Sequence, residues 1–204
     1  VNPEIHGTFS AADDDQAIIA RGAQLGAPVA AHVGVPRVGV DDVATRCPIR
    51  HRQICRQRGW PDPVERLLGA GLIRKNSVIA NGVDLNEGEL ARVDGAGAWL
   101  VHCGRSNMNN GVGRAPVDRF PVNCGIGTDG LDNNLWGELR TSYFRGNEGG
   151  RGPMGFDGAA RFWLGNYALA RETFGEPFGS LDAGAPADLI VLHNFQKTPP
   201  STST

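Results

Sequence analysis

The stretch Asn123-Cys124-Gly125-Ile126-Gly127-Thr128-Asp129-Gly130 decides how this chain is read. It satisfies Gly-x-Gly-x-x-Gly, the turn that cradles a dinucleotide pyrophosphate at a helix N-terminus. It also reads as a buried strand, Val122 to Ile126, that ends by presenting one carboxylate, Asp129. A dinucleotide turn needs a helix immediately after the third glycine and an acidic residue ending the next strand about 20 residues on. Here "LDNNLWGEL" delays the helix to near Asn134, and "NEGGRGPMG" stands where the next strand is required. Asp129 would moreover face the pyrophosphate charge. The strand reading is therefore preferred, and a nucleotide-binding oxidoreductase is retained only as a weak third function.

Outward from that stretch, short apolar runs alternate with segments of helical composition. Strands are expected at Val29–Val33, Ser77–Ala80, Ala98–His102 and Pro121–Ile126. Helices are expected at Ala12–Leu25, Val64–Leu72, Asn86–Val93, Leu135–Phe144 and Met154–Thr173. Asn86 is a candidate N-cap, with Glu87 and Glu89 in the first turn. Strands apolar on both faces and separated by helices call for parallel pairing with right-handed crossovers, hence an α/β fold. A doubly wound sheet and a closed barrel both fit that pattern, and both place chemistry at the C-terminal strand ends. His32, Asn81, His102 and Asp129 occupy those ends. "DLIVL", Asp188 to Leu192, is expected to be the last strand, before a loose tail.

Bulk properties narrow the function classes. The 204 residues carry a formal net charge of -2, with 40% hydrophobic and 21% charged residues. That balance offers no basic surface for nucleic acid and no attraction to anionic membranes. No apolar run reaches the roughly 20 residues that span a bilayer, and a cytoplasmic location is expected. Cys47, Cys55, Cys103 and Cys124 are widely spaced, which favours reduced thiols over a disulfide framework. The basic run "RCPIRHRQICRQR" around His51 is read as a solvated face, Asp13-Asp14-Asp15 as helix N-terminal charge, and the four tryptophans as packing residues.

"VHCGRSNMNNGVGRAPV", then "CGIGTDG", then "NNLWGELRTSYF", with "FGSLDAGAPADLIVL" near the end, resemble the amidohydrolase superfamily. The nearest branch is the cytosine-deaminase and triazine-chlorohydrolase group, and within it the aminohydrolases linked to selenate metabolism. The likeness is strong over 98–145 and 178–192 and looser over 1–95. It implies the second half of a TIM-like (β/α) barrel, residues 1–177, then the return strand of a flanking β domain, 178–194, and a flexible tail, 195–204.

The resemblance further implies a metal-dependent hydrolase or deaminase that cleaves a C–N bond of a heterocyclic small-molecule substrate. One divalent metal is implied, zinc ahead of iron, with His32 and Asp129 as ligands. Asp129 would also take the proton of a metal-activated water, whose pKa such an ion lowers to about 7. His6 matches a substrate-contacting histidine, Asn81 stands at a catalytic histidine's position, and Ser106 and Asn107 shape the pocket. Departures accompany these matches. Val35 replaces the glutamate that protonates the substrate, Asn81 cannot carry a proton, and the His-x-His pair of a first strand is absent. The alternative is thus a catalytically impaired or truncated relic. Open strand edges imply a homo-oligomer or a missing N-terminal half as partner.

Overall fold

The computed structural model describes residues 4–6, 30–33, 48–57, 59–149 and 154–191, with side chains from Arg52 onward, Ile54 excepted. Expectations that fall elsewhere, namely the helix at 12–25, Asp13–Asp15, Val35 and Cys47, lie outside the described residues, as do the side chains of His6, His32 and His51.

Among the described residues, five strands form one sheet: β1 (Glu4–His6), β2 (Ala30–Val33), β3 (Val78–Asn81), β4 (Trp99–His102) and β5 (Cys124–Ile126). Their spatial order is β1-β2-β3-β4-β5, and every neighbouring pair is parallel. This order discriminates between the two α/β solutions. A doubly wound sheet reverses its strand order at a switch point, and the reversal is where a dinucleotide sits. A strictly sequential parallel order takes every crossover the same way round, as consecutive units of a barrel wall do. The dinucleotide reading of Gly125–Gly130 loses its topology, and its helix as well, because the next helix begins only at Leu135.

The described helices are α1 (Pro48–Gln57), α2 (Pro63–Gly69), α3 (Glu87–Gly95), α4 (Gly104–Asn109), α5 (Leu135–Asn147) and α6 (Gly155–Phe174). Register assigns the two faces of the sheet. Ile79, Leu100 and Cys124 form one row and are buried against Leu67, Leu90, Val93, Phe120 and Phe162 in the main core. The alternate row runs His6, His32, Ala80, Val101, Gly125 in backbone register. Of that row, Ala80 and Val101 are only half-buried.

Local chemistry sets the boundaries. α3 begins with a capping box: the Asn86 side chain accepts from the Glu89 N–H at 3.0 Å, and Glu89 accepts from the Asn86 N–H at 2.8 Å. The buried Glu89 carboxylate is completed by Arg52 of α1, at 2.5 and 2.7 Å. This corrects the reading of the basic run as a merely solvated face, since Arg52 pairs inward and Cys55 is buried. α2 starts at Pro63 behind the N-cap Asp62, and Gly175, left-handed at φ 73°, ends α6.

Two expected strands are trimmed. Val122 is 85% exposed and precedes β5 rather than belonging to it. Asp188–Val191 forms no strand, and Leu189, Ile190 and Val191 are exposed, because none of the described strands pairs with them. Trp136, at 51% exposed, is not a core residue but stacks on Trp163 at 4.4 Å.

The far edge of β5 is closed from within the chain. Leu100 N–H donates to Asn123 O and Gly127 N–H to His102 O, so alternate residues of this strand face β4. Ile126 points its peptide groups the other way. There the Asn166 side chain of α6 accepts from Ile126 N–H at 2.9 Å and donates to Ile126 O at 3.0 Å. One amide side chain thus satisfies both outward-facing peptide groups of Ile126, and a strand added at this edge would have to displace it. Gly165 makes the approach possible, since a Cβ there would overlap the Cys124 carbonyl oxygen.

Candidate active site

The C-terminal ends of β3, β4 and β5 converge. β3 ends at Asn81, buried and left-handed at φ 72°, followed by Gly82 at φ 60°. Three residues beyond β5, Asp129 is also left-handed, at φ 53°. Asn and Asp tolerate that conformation better than most side chains, and such strain concentrates at functional sites. Cys103, one residue past β4, joins the ends: its sulfur takes hydrogen bonds from the backbone of Asn81 and of Asp129. Burial, reinforced by the Asp129 charge, pushes this thiol up to about 12, so it is a neutral tie and not a nucleophile.

Asp129 was expected as a bare carboxylate on a buried strand end. It is instead exposed, because Gly127 and Thr128 carry the chain out beyond Ile126. It is also held firmly. Ser106 Oγ donates to Oδ2 at 2.7 Å, and Gly130 N–H donates to Oδ1 at 2.8 Å. Asn110 Nδ2 donates to the same Ser106 oxygen at 3.3 Å, which leaves the hydroxyl proton for Asp129. A second tie lies three residues on, where Arg105 grips Asp132 through two contacts of 2.6 and 2.7 Å. That hydrogen bonding holds the Asp132 carboxyl down at about 2. α4, which carries Arg105 and Ser106, therefore clamps the loop that bears Asp129.

β4 contributes His102, to which the sequence assigned no chemistry. It is buried, with Nδ1 2.7 Å from Ser142 Oγ, and its ring meets Phe120 edge-on. Burial, then the nearby Arg145 and Arg114 charges, lowers its pKa to about 3. A neutral, enclosed imidazole of this kind packs and orients; it does not shuttle protons near pH 7.

Of the residues chosen from the sequence, Asp129 and Ser106 are in direct contact, and Asn81 reaches them through Cys103. Asn107 is buried on α4, its side-chain nitrogen without a hydrogen-bond partner among the described residues. His6 and His32 are partnered register positions on β1 and β2. β2 and β5 lie three strand spacings apart, roughly 14 Å in a flat sheet. Only a curled sheet lets residues 32 and 129 reach one ion.

No group of three or more His, Cys, Asp or Glu side chains among the described residues is placed to hold a metal ion. A catalytic zinc takes about three protein ligands plus water. Asp129 offers one, with both oxygens already accepting hydrogen bonds. The described donors do not by themselves fit such an ion. The residues that sequence reasoning missed are Glu138, Arg105, Asp132 and Cys103. Glu138 and Ser142, four apart on α5 and both buried, left one signal, a polar pair on a helix whose Leu135 and Leu139 pack on the core.

No family model matches the chain. It is 34% identical over 142 residues to the 5-methylthioadenosine/S-adenosylhomocysteine deaminase of Natronomonas pharaonis, covering 64% of this chain and 32% of that protein. With the enzyme of the same name from Pyrococcus abyssi it shares 33% identity over 85 residues, 40% of this chain and 20% of that protein. The chain thus spans about a third or less of these curated relatives. Among solved structures, a zinc-bound adenosine deaminase from Xanthomonas campestris superimposes with a TM-score of 0.74 at 24% identity, over 91% of this chain and 42% of that one. An amidohydrolase from Brucella melitensis gives 0.68 at 19% identity, over 91% and 41%. The structural likeness shows a shared fold, and the sequence likeness supports a hydrolase lineage. No helix among the described residues is long and apolar enough to cross a membrane.

Proposed function

We propose that this chain is the second half of a TIM-like barrel, with the start of a flanking β domain, from a metal-dependent aminohydrolase of the amidohydrolase superfamily. Its substrate is a heterocyclic amine, an aminopurine nucleoside first of all, whose exocyclic C–N bond is hydrolysed with release of ammonia. The names of the curated relatives favour this substrate over those of the selenate-linked branch. One observation carries the reading. In a sequentially ordered parallel sheet, a carboxylate is fixed beyond the C-terminal end of the fifth strand by Ser106 and by a backbone N–H. Barrel enzymes assemble their chemistry at that end.

In this reading Asp129 accepts a proton and returns it toward the leaving nitrogen. Ser106 and the Gly130 N–H orient the carboxylate for this, Asn107 shapes the pocket, and Asn81 and His6 contact the substrate. His32 and Asp129 are metal ligands, zinc ahead of iron, and the remaining ligands come from residues outside this chain. A second reading is favoured by the donor set and by Asn81 at a histidine's position: taken alone, this chain is catalytically impaired. One comparison tests both, measuring zinc content and ammonia release from aminopurine nucleosides for this chain and for its gene product extended upstream. The extended form should hold one zinc and release ammonia while this chain does neither. An extended form with no metal and no turnover would overturn the enzyme reading.

A further inference from the structure

Glu138, on α5, is fully buried, yet it reaches none of the groups assigned to substrate or metal. Its Oε2 accepts from Arg105 N–H at 3.1 Å, and the Gly104 N–H also hydrogen-bonds the carboxylate. Arg105 Nε stands 3.8 Å from Oε1, which has no hydrogen-bond partner among the described residues. These contacts fall on the first turn of α4, and α4 lacks a cap of its own, since Cys103 at its N-cap lends no side-chain bond. Uncapped N–H groups at a helix start need an acceptor, and a carboxylate suits them because of their partial positive charge. Glu138 supplies it from a neighbouring helix. Its place is fixed in turn: Ser142, one turn along α5, holds His102, and Thr141 and His102 crowd Gly104 so closely that a Cβ there would clash with both.

In the same turn, one residue beyond Arg105, lies Ser106, whose hydroxyl meets Asp129 at 2.7 Å. The first turn of α4 is thus a rigid link with Glu138 at one end and the Asp129 carboxylate at the other. We propose that Glu138 is a positioning residue for Asp129, acting through the first turn of α4 and the Ser106 hydroxyl. This rests on the reading of Asp129 as the site's working carboxylate. Glu138 fixes where the Ser106 proton is delivered, and hence which Asp129 oxygen faces the strand ends.

The test needs neither metal nor substrate. Gly130 N–H donates to Asp129 Oδ1, so its 1H–15N cross-peak reports where that carboxylate sits. Glu138→Ala should move the Gly130 peak in the same direction as Ser106→Ala, and the double variant should move it no further than Ser106→Ala alone. Glu138→Gln keeps an acceptor oxygen for the two amides and should restore the peak. Should the alanine variant fail to fold, Glu138→Asp, which withdraws the carboxylate by one methylene, makes the same test. A folded Glu138 variant with an unmoved Gly130 peak, where Ser106→Ala moves it, would overturn the proposal. So would additive shifts in the double variant, or a Glu138→Gln peak displaced as far as that of Glu138→Ala. Absence of zinc or turnover bears on the aminohydrolase reading alone.

Discussion

Replacing Asn166 with alanine tests whether a side chain stands in for a strand. The substitution removes the acceptor for Ile126 N–H and the donor for Ile126 O, at 2.9 and 3.0 Å, from a residue only 3% exposed. Each buried peptide group left without a partner costs about 1–3 kcal/mol, and water entering the gap recovers part of that. Two groups give a loss of about 2–4 kcal/mol, which for a chain of this size lowers Tm by roughly 5–15 °C. Asn166→Asp separates the two bonds: it keeps the acceptor but sets a carboxylate oxygen against the Ile126 carbonyl, so it should be no better tolerated. Urea unfolding followed by circular dichroism gives the stability change, and hydrogen exchange at the Ile126 amide gives its location. The alanine variant should also self-associate more readily, since its β5 edge is uncovered. A loss below about 0.5 kcal/mol, the range of ordinary surface substitutions, with Ile126 exchange unchanged, would refute the strand-surrogate reasoning.

Three other outcomes follow from the same structure. Because His102 titrates at about 3 in the folded chain against an ordinary 6.5, the unfolded chain binds a proton between those values that the folded chain refuses. Stability therefore falls as pH drops below 6.5, by up to about 1.4 kcal/mol per pH unit from this group; His102→Gln should flatten urea midpoints between pH 6 and 4 by one proton, and an unchanged slope would count against the buried neutral imidazole. Gly165→Ala forces a methyl group into the Cys124 carbonyl and should lift α6 from β5 at a cost of about 1–3 kcal/mol, read as a lower Tm; an unaltered Tm would contradict the close approach. Arg52→Ala strands the buried Glu89 carboxylate, and since the Arg52 side chain is 21% exposed the loss should be about 2–3 kcal/mol, below that of a fully enclosed pair. Equal stability of Arg52→Ala and the parent protein in urea would show that solvent already satisfies Glu89.

Much of the framework was legible because it rests on local chemistry. Apolar runs bounded by turn residues mark β3 and β4, and Asn86-x-x-Glu89 announces α3. What escaped depends on partners distant in sequence. α4, "GRSNMN", has no apolar periodicity and is held by Glu138, 33 residues beyond Arg105. The Asn166 cap spans 40 residues and resembles any polar helix position until β5 is seen beside it. "DLIVL" has strand composition, yet composition cannot supply the neighbour a strand requires. Asp129 lies three residues beyond β5, and its exposure and its Ser106 partner come from tertiary structure.

For residues 32 and 129 to share one ion, the sheet must curl enough to bring the ends of β2 and β5 together. Crystals of the upstream-extended gene product soaked in zinc, measured on both sides of the zinc absorption edge, address this directly through the anomalous difference map. The account predicts a peak within bonding distance of the Asp129 carboxylate and the His32 imidazole together. A peak placed elsewhere, or Asp129 still bonded only to Ser106 and Gly130 at saturating zinc, would contradict it.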